Sequence, residues 1–180
     1  MVVQGEKVTI QCTNEYDQFA EFSLIKQGAS EQPPAKSTVQ KIAEFLIPSA
    51  QESDGGIYFC DYRLYQSFDR YSKFSNRTYI NITDPSVSKP SIHVEPKGQQ
   101  ILDANVWIHC QGPENNLTFS LYRSADFITS QRTKPESSLA KFPIFGVRLE
   151  DTGNYSCRYQ LRGKPFVWSG LSDPVQLEVR

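Results

Sequence analysis

The chain holds four residues with several chemistries open to them: Cys12, Cys60, Cys110 and Cys157. A thiol can serve as a nucleophile, a metal ligand or half of a disulfide. Structural zinc asks for close ligand pairs such as Cys-x-x-Cys, and the sequence has none. A nucleophile asks for a base at a recognisable spacing. The two histidines, His93 and His109, stand in no such motif. That leaves paired oxidation. Four cysteines permit three pairings, and an internal repeat selects Cys12–Cys60 and Cys110–Cys157, separated by 48 and 47 residues. Closing such loops is worth about 4 kcal/mol each in the chain-entropy picture. Stable disulfides in turn place the chain in an oxidising compartment. No catalytic site, cofactor or metal site is expected. There is no Gly-rich phosphate loop, and the acidic pair Glu150-Asp151 reads as part of a turn.

Two further sets of residues bear on chemistry. Asn76, Asn81, Asn116 and Asn154 each open an N-glycosylation sequon, in keeping with secretion. Period-2 alternation turns Asn154 toward solvent. The second set follows the later cysteine of each pair, in loops rich in Tyr, Phe, Arg and Lys. Tyr and Arg dominate binding hot spots, and loops on a rigid scaffold commonly carry recognition. Tyr65, Phe68 and Arg70 in the first loop, and Arg162, Lys164 and Phe166 in the second, are the candidate ligand contacts. Tyr62 and Tyr159 occupy matched positions and read as structural.

These residues must be held by some scaffold, and its signature is Asp54-Gly-Gly-Ile-Tyr-Phe-Cys60, which recurs as Asp151-Thr-Gly-Asn-Tyr-Ser-Cys157. The Asp and Gly turn the chain, the Tyr ring enters the core with its hydroxyl on nearby backbone, and the Cys points inward. This is the tyrosine corner and inter-sheet disulfide of an immunoglobulin-like sandwich. The repeat extends beyond the corner at one constant spacing. Phe22-Ser-Leu24 matches Phe119-Ser-Leu121, Phe45 and Ile47 match Phe142 and Ile144, and Tyr71-Ser72 and Ser75 match Trp168-Ser169 and Ser172. The fold class is therefore all-β: two tandem C2-type immunoglobulin-like β-sandwiches joined by a short elbow linker, with domains at 1–84 and 85–180.

Taken in order, Lys7–Cys12 and Asn105–Cys110 read as strand B, and Ser91–Glu95 as strand A of the second domain. The first domain's own first strand reads as truncated. Phe22 and Leu24, or Phe119 and Leu121, fill the strand C core in place of the antibody Trp. The stretches 27–36 and 130–138 bear prolines and read as edge connections or short edge strands, and the cysteine spacing leaves little room for the two extra strands of a variable-type domain. Ile42–Ile47 and Leu139–Ile144 read as strand E. The linker, 83–90, has proline near each end and reads as a fixed elbow. Trp107 alternates outward and is expected to meet the elbow, a glycan or a partner. Trp168-Ser169 reads as a bulge that packs the sheet end.

The charge balance is −1 with a pI near 6.1 and a mean hydropathy of −0.48. A nucleic-acid partner or an anionic membrane surface would call for a marked excess of Lys and Arg. No apolar run approaches the roughly 20 residues of a membrane span, so this fragment itself is expected to make no direct membrane contact.

The run Tyr155-x-Cys157-x-Tyr159 followed by Trp168-Ser-Gly-Leu-Ser172-Asp-Pro-Val-Gln-Leu-Glu-Val179 resembles the end of a leukocyte-receptor-cluster immunoglobulin domain. Lys89-Pro-Ser91 and Phe119-Ser-Leu-Tyr-Arg123 carry the same resemblance, which covers essentially the whole chain. The group includes leukocyte and killer-cell immunoglobulin-like receptors, the IgA Fc receptor, glycoprotein VI and the osteoclast-associated receptor. The first domain departs from the pattern with Tyr71-Ser-Lys-Phe-Ser75, and with Arg77 in place of Pro174. The resemblance implies two domains set at an acute angle and a protein ligand: an MHC class I-like molecule, immunoglobulin Fc or collagen. It further implies a single-pass membrane protein whose transmembrane segment, beyond Arg180, comes with either a charged residue for an adaptor or a tail with tyrosine motifs. The alternatives are a soluble plasma inhibitor of the alpha-1-B glycoprotein type and a homophilic adhesion module.

Overall fold

Alternating apolar and polar residues become paired strands in both halves of the chain. A computed structural model describes residues 1–16, 18–33, 39–64 and 73–180. They divide into two compact units, Met1–Ile82 and Thr83–Arg180.

In the first unit, β1 (Val2–Val3) pairs with β8 (Ile82–Thr83), and β2 (Val8–Cys12) pairs with β4 (Ala43–Ile47). Opposite them, β3 (Ala20–Lys26) pairs with β5 (Gly56–Leu64), which also carries β6 (Lys73–Phe74) and β7 (Thr78–Ile80). Strand periodicity sends Ile10 and Cys12 inward from β2, Ala20, Phe22 and Leu24 from β3, and Tyr58, Cys60 and Tyr62 from β5. Together with Phe45, Ile80 and Ile82 they form one core. The Cys12–Cys60 disulfide crosses it, with its Cα atoms 6.0 Å apart.

The second unit repeats this plan. One sheet has the order β13–β10–β9 (Leu139–Ile144, Val106–Gln111, Ser91–Glu95). The other runs β12 (Asp126–Arg132), β11 (Thr118–Arg123), β14 (Gly153–Gln160), with β15 (Val167–Trp168) and β16 (Val175–Leu177) both paired to β14. Val106, Ile108, Phe119, Leu121, Phe142 and Tyr155 lie in its core, braced by Cys110–Cys157. Phe22 and Phe119 are both fully buried, at the strand C positions expected to replace the antibody Trp.

Each corner is built as its residues dictate. A single 3-10 turn, Glu52–Asp54 or Leu149–Asp151, precedes the strand. The Asp carboxylate accepts from the backbone N–H three residues earlier, 2.8 Å from Gln51 N and 2.8 Å from Arg148 N. The tyrosine hydroxyl then donates to the carbonyl of that same Asp, at 2.7 Å for Tyr58 and 2.6 Å for Tyr155.

The segments that follow β6 and β15 fasten to β5 and β14 by side chain as well as backbone. Ser75 Oγ accepts from Cys60 N at 2.7 Å, and Ser172 Oγ from Cys157 N at 3.0 Å. Ser169 Oγ accepts from Tyr159 N at 3.1 Å and is itself fully buried. The serines of Trp168-Ser-x-x-Ser172 thus stand in for strand carbonyls, which accounts for their place in the motif.

One element differs from the expectation for the edge. The predicted edge segment, 130–138, begins four residues late, because β12 starts at Asp126 and pairs along the whole of β11. A register shift between Leu121 and Tyr122 lets it do so, and its residues are exposed throughout. An element without alternation offers no periodic signal to read.

Candidate functional site

The connection between β14 and β15 is a short, cross-braced turn. Leu161 N donates to Val167 O at 2.9 Å, Lys164 N to Leu161 O at 3.2 Å, and Val167 N to Lys164 O at 3.0 Å. The Gln160 side chain donates to Pro165 O across the same turn. Gly163, with φ +73°, takes the left-handed conformation the turn requires. Val167 is buried, so the turn is anchored in the core at its far end.

This turn carries Arg162, Lys164 and Phe166, three of the residues singled out from sequence. Arg162 and Lys164 are exposed, and both line a polar recess of about 430 Å³. Phe166 is half-buried and does not line that recess. Arg132, which sequence reading did not select, lines the same recess from the end of β12. The register explains the meeting: Thr118 on β11 lies opposite Arg132 on one side and Gln160 on the other. Arg132 Nε donates to Asn116 Oδ1 at 3.0 Å, which fixes its guanidinium at the rim. Three cations thus surround one recess on a chain whose net charge is −1. What brings Arg132 to the recess is the β11–β12 register, which no local sequence pattern gives. The other three selected contacts, Tyr65, Phe68 and Arg70, lie outside the described residues.

The neighbouring face of the same sheet holds a stacked column. The Arg158 guanidinium carbon lies 4.5 Å from the Tyr122 ring centroid and 6.0 Å from that of Trp168. Arg158 also donates to the Tyr122 hydroxyl, 2.9 Å from Nε, and Phe127 packs edge-on against Tyr122 at 5.8 Å. Cation–π stacking of this kind holds planar groups in place. Trp168 is therefore a structural neighbour of Arg158, in keeping with its expected packing role.

Tyr159, read as structural, is buried, and its hydroxyl donates to Ser88 O at 2.6 Å. Burial pushes its phenol above the usual tyrosine range, with the Glu114 and Asp84 charges adding to the effect. Tyr62 is buried against Phe22 at 5.9 Å, and burial likewise raises its phenol. Trp107 does face outward, with 37% exposure. Its neighbour is a residue of its own unit, Phe145, edge-on at 6.3 Å.

A second recess, of about 520 Å³, opens at the edge of the second unit between β12 and β13. Leu121, Ile128, Phe142, Ile144 and Tyr155 line it, with Arg123 and Asp151 among its polar groups. Of the sequons, Asn76 and Asn154 are exposed, while Asn81 and Asn116 are half-buried. Among the described residues, no group of three or more His, Cys, Asp or Glu is arranged to hold a metal ion.

Comparison with known proteins adds the wider context. Immunoglobulin-domain family models match residues 2–65 and residues 89–179. Immunoglobulin superfamily member 1 of Homo sapiens is 32% identical over 177 residues, 98% of this chain and 13% of that protein. Alpha-1B-glycoprotein of Bos taurus is 32% identical over 86% of this chain and 32% of its own length. The osteoclast-associated immunoglobulin-like receptor of Homo sapiens is 28% identical over 96% of this chain and 60% of its own length. The chain thus spans less than two thirds of each of these relatives.

Proposed function

Because the chain belongs to the immunoglobulin domain family, in the leukocyte-receptor-cluster group, we propose that it is the ligand-binding extracellular region of a leukocyte-type immune receptor. Its ligand is a protein: an MHC class I-like molecule, immunoglobulin Fc or collagen. It acts by recognition and carries out no catalysis. The observation that supports this most is the trio Arg132, Arg162 and Lys164 around one recess, two of them on a turn closed by three backbone hydrogen bonds. A rigid turn keeps its cations ordered before the partner arrives, which lowers the entropic cost of binding. Exposed Arg and Lys at a recess favour a partner with complementary acidic groups and raise its rate of encounter.

The chain works at the cell surface, as the extracellular part of a single-pass membrane protein, or as part of a secreted protein. A soluble plasma protein is the second reading, favoured by the 32% identity to alpha-1B-glycoprotein. Surface plasmon resonance against MHC class I, Fc and a triple-helical collagen peptide tests the primary reading. Saturable binding to one of the three, weakened about tenfold or more by the Arg162→Ala/Lys164→Ala pair, is the expected result. No binding to any of them, or binding indifferent to the double substitution, overturns it.

A further inference from the structure

His93 and His109 have no part in the recognition surface described above. They are direct cross-strand partners on the antiparallel pair β9 and β10. Ile108 and Cys110 are buried, so alternation along β10 leaves His109 on the outer face with Trp107. The two imidazoles meet edge to face, with ring centroids 4.7 Å apart and planes at 77°. His109 Nδ1 lies 3.0 Å from His93 Nε2. Glu95, two residues along β9, brings Oε1 to 3.6 Å from the same His93 nitrogen. Lys141 faces His109 from β13 on the other side.

Two ring nitrogens that approach this closely either share one proton or give both lone pairs to one cation. Imidazole nitrogens bind a divalent transition ion at about 2.0–2.1 Å, so an ion equidistant from two of them 3.0 Å apart sees an angle of about 91–97°. That is the cis angle of a square-planar or tetragonal centre, the geometry of Cu(II), rather than the wider tetrahedral angle of zinc. Cu(II) also stands highest in affinity among the first-row divalent ions. We propose that His93 Nε2 and His109 Nδ1 form a bidentate Cu(II) site on the outer face of the β9–β10 pair, with water completing the coordination.

The surroundings suit this chemistry. Burial, the neighbouring His93 and the Lys141 charge lower the proton affinity of His109, against the opposing effect of Glu95. A lower proton affinity acts in the direction that metal binding needs, since a ligating imidazole must give up its proton. The Glu95 carboxylate offsets the ion's charge and the repulsion from Lys141. Two protein ligands leave the ion open to exchange, so the site is a surface chelate rather than a sealed structural centre. Sequence spacing hides it, because the two histidines lie 16 residues apart and meet only through strand register.

The molecule contains its own reporter. Trp107 shares the outer face of β10 with His109 and lies opposite Glu95, whereas Trp168 belongs to the other sheet. Bound Cu(II) quenches a nearby indole. Titration of the full chain with copper chloride in a non-coordinating buffer at neutral pH is expected to give saturable quenching, one ion per chain, reversed by EDTA. His93→Gln and His109→Gln each weaken it by about tenfold or more, the scale of losing part of a metal's shell. Electron paramagnetic resonance of the copper-loaded chain shows two imidazole nitrogens. Trp107→Phe removes most of the quenching and leaves that spectrum intact. Circular dichroism confirms that each variant is folded; should a histidine variant fail to fold, the spectrum of the wild-type chain decides. Quenching unchanged in a folded His109→Gln chain, or a wild-type spectrum without two imidazole nitrogens, overturns the proposal.

Discussion

The two units share their interiors and differ on their outer faces. At the strand C end, Lys26 and Arg123 occupy matched positions. Lys26 donates to the carbonyl of Ser53, and Arg123 to that of Glu150 at 2.9 Å. Each lays its stem over the corner glycine. A Cβ on Gly56 would come 2.9 Å from Lys26 Cε, and one on Gly153 would come 3.2 Å from Arg123 Cγ and Cδ. The corner is thus a four-part device of Asp, Gly, Tyr and a cation, reproduced in full. On the outer face of strand B the agreement ends. Thr9 and Gln11 in the first unit correspond to Trp107 and His109 in the second. Gln11 reaches Glu44 across the strands, at 3.5 Å, whereas His109 meets His93 and faces Lys141. Packing constrains inward positions twice over, by volume and by neighbour. Outward positions are free to diverge, so the differences between the units are where separate functions can reside.

Three perturbations test whether the shared interior is one device used twice. The largest effect is expected from the disulfides. Replacing either pair, Cys12/Cys60 or Cys110/Cys157, by alanine costs about 2–5 kcal/mol, measured as a fall in the denaturation midpoint of the affected unit. A loss on replacing one pair but none on replacing the other would break the equivalence. Next come the corner tyrosines. Tyr58→Phe and Tyr155→Phe each leave a backbone carbonyl without its partner, at about 1–3 kcal/mol, and the two losses should match within error. Third, Ser75→Ala and Ser172→Ala remove the side-chain acceptor beneath each Cys N–H, at about 1 kcal/mol each.

The tyrosines also predict a pH dependence. Burial, with the Asp54 charge acting in the same direction, pushes the Tyr58 phenol up to about 12. Burial raises Tyr155 as well, against the opposing guanidinium of Arg123. In the unfolded chain a phenol titrates near about 10. The fold therefore favours the protonated form, so this contribution is complete below about pH 10 and is lost as pH rises from there toward 12. Unfolding in denaturant across that window should show a falling midpoint, flatter in Tyr58→Phe. A midpoint equally steep in the variant would place the effect elsewhere.

The contrast between interior and surface also decides what was legible in the sequence. The corners, both disulfides and the strand E limits at Leu139–Ile144 could be read because alternation and repetition constrain the same residues independently. β12 could not, since seven exposed residues in a row carry no period and the shift at Leu121/Tyr122 erases its register. Arg132 was lost with it. The Trp107–Phe145 contact and the His93–His109 pair are side-chain meetings between separate segments, which no local pattern encodes. Phe166 illustrates the opposite limit: its residue type suggested a contact, while its half-buried place in the turn sets it apart from the recess.

Binding affinity and melting temperature, measured together on one variant, decide whether the cationic recess is the binding surface. Arg162→Ala/Lys164→Ala alters only exposed side chains on a turn held by its backbone. The expected result is a melting temperature equal to that of the parent and affinity for the protein ligand reduced about tenfold or more. Undiminished affinity in a fully folded variant would contradict it.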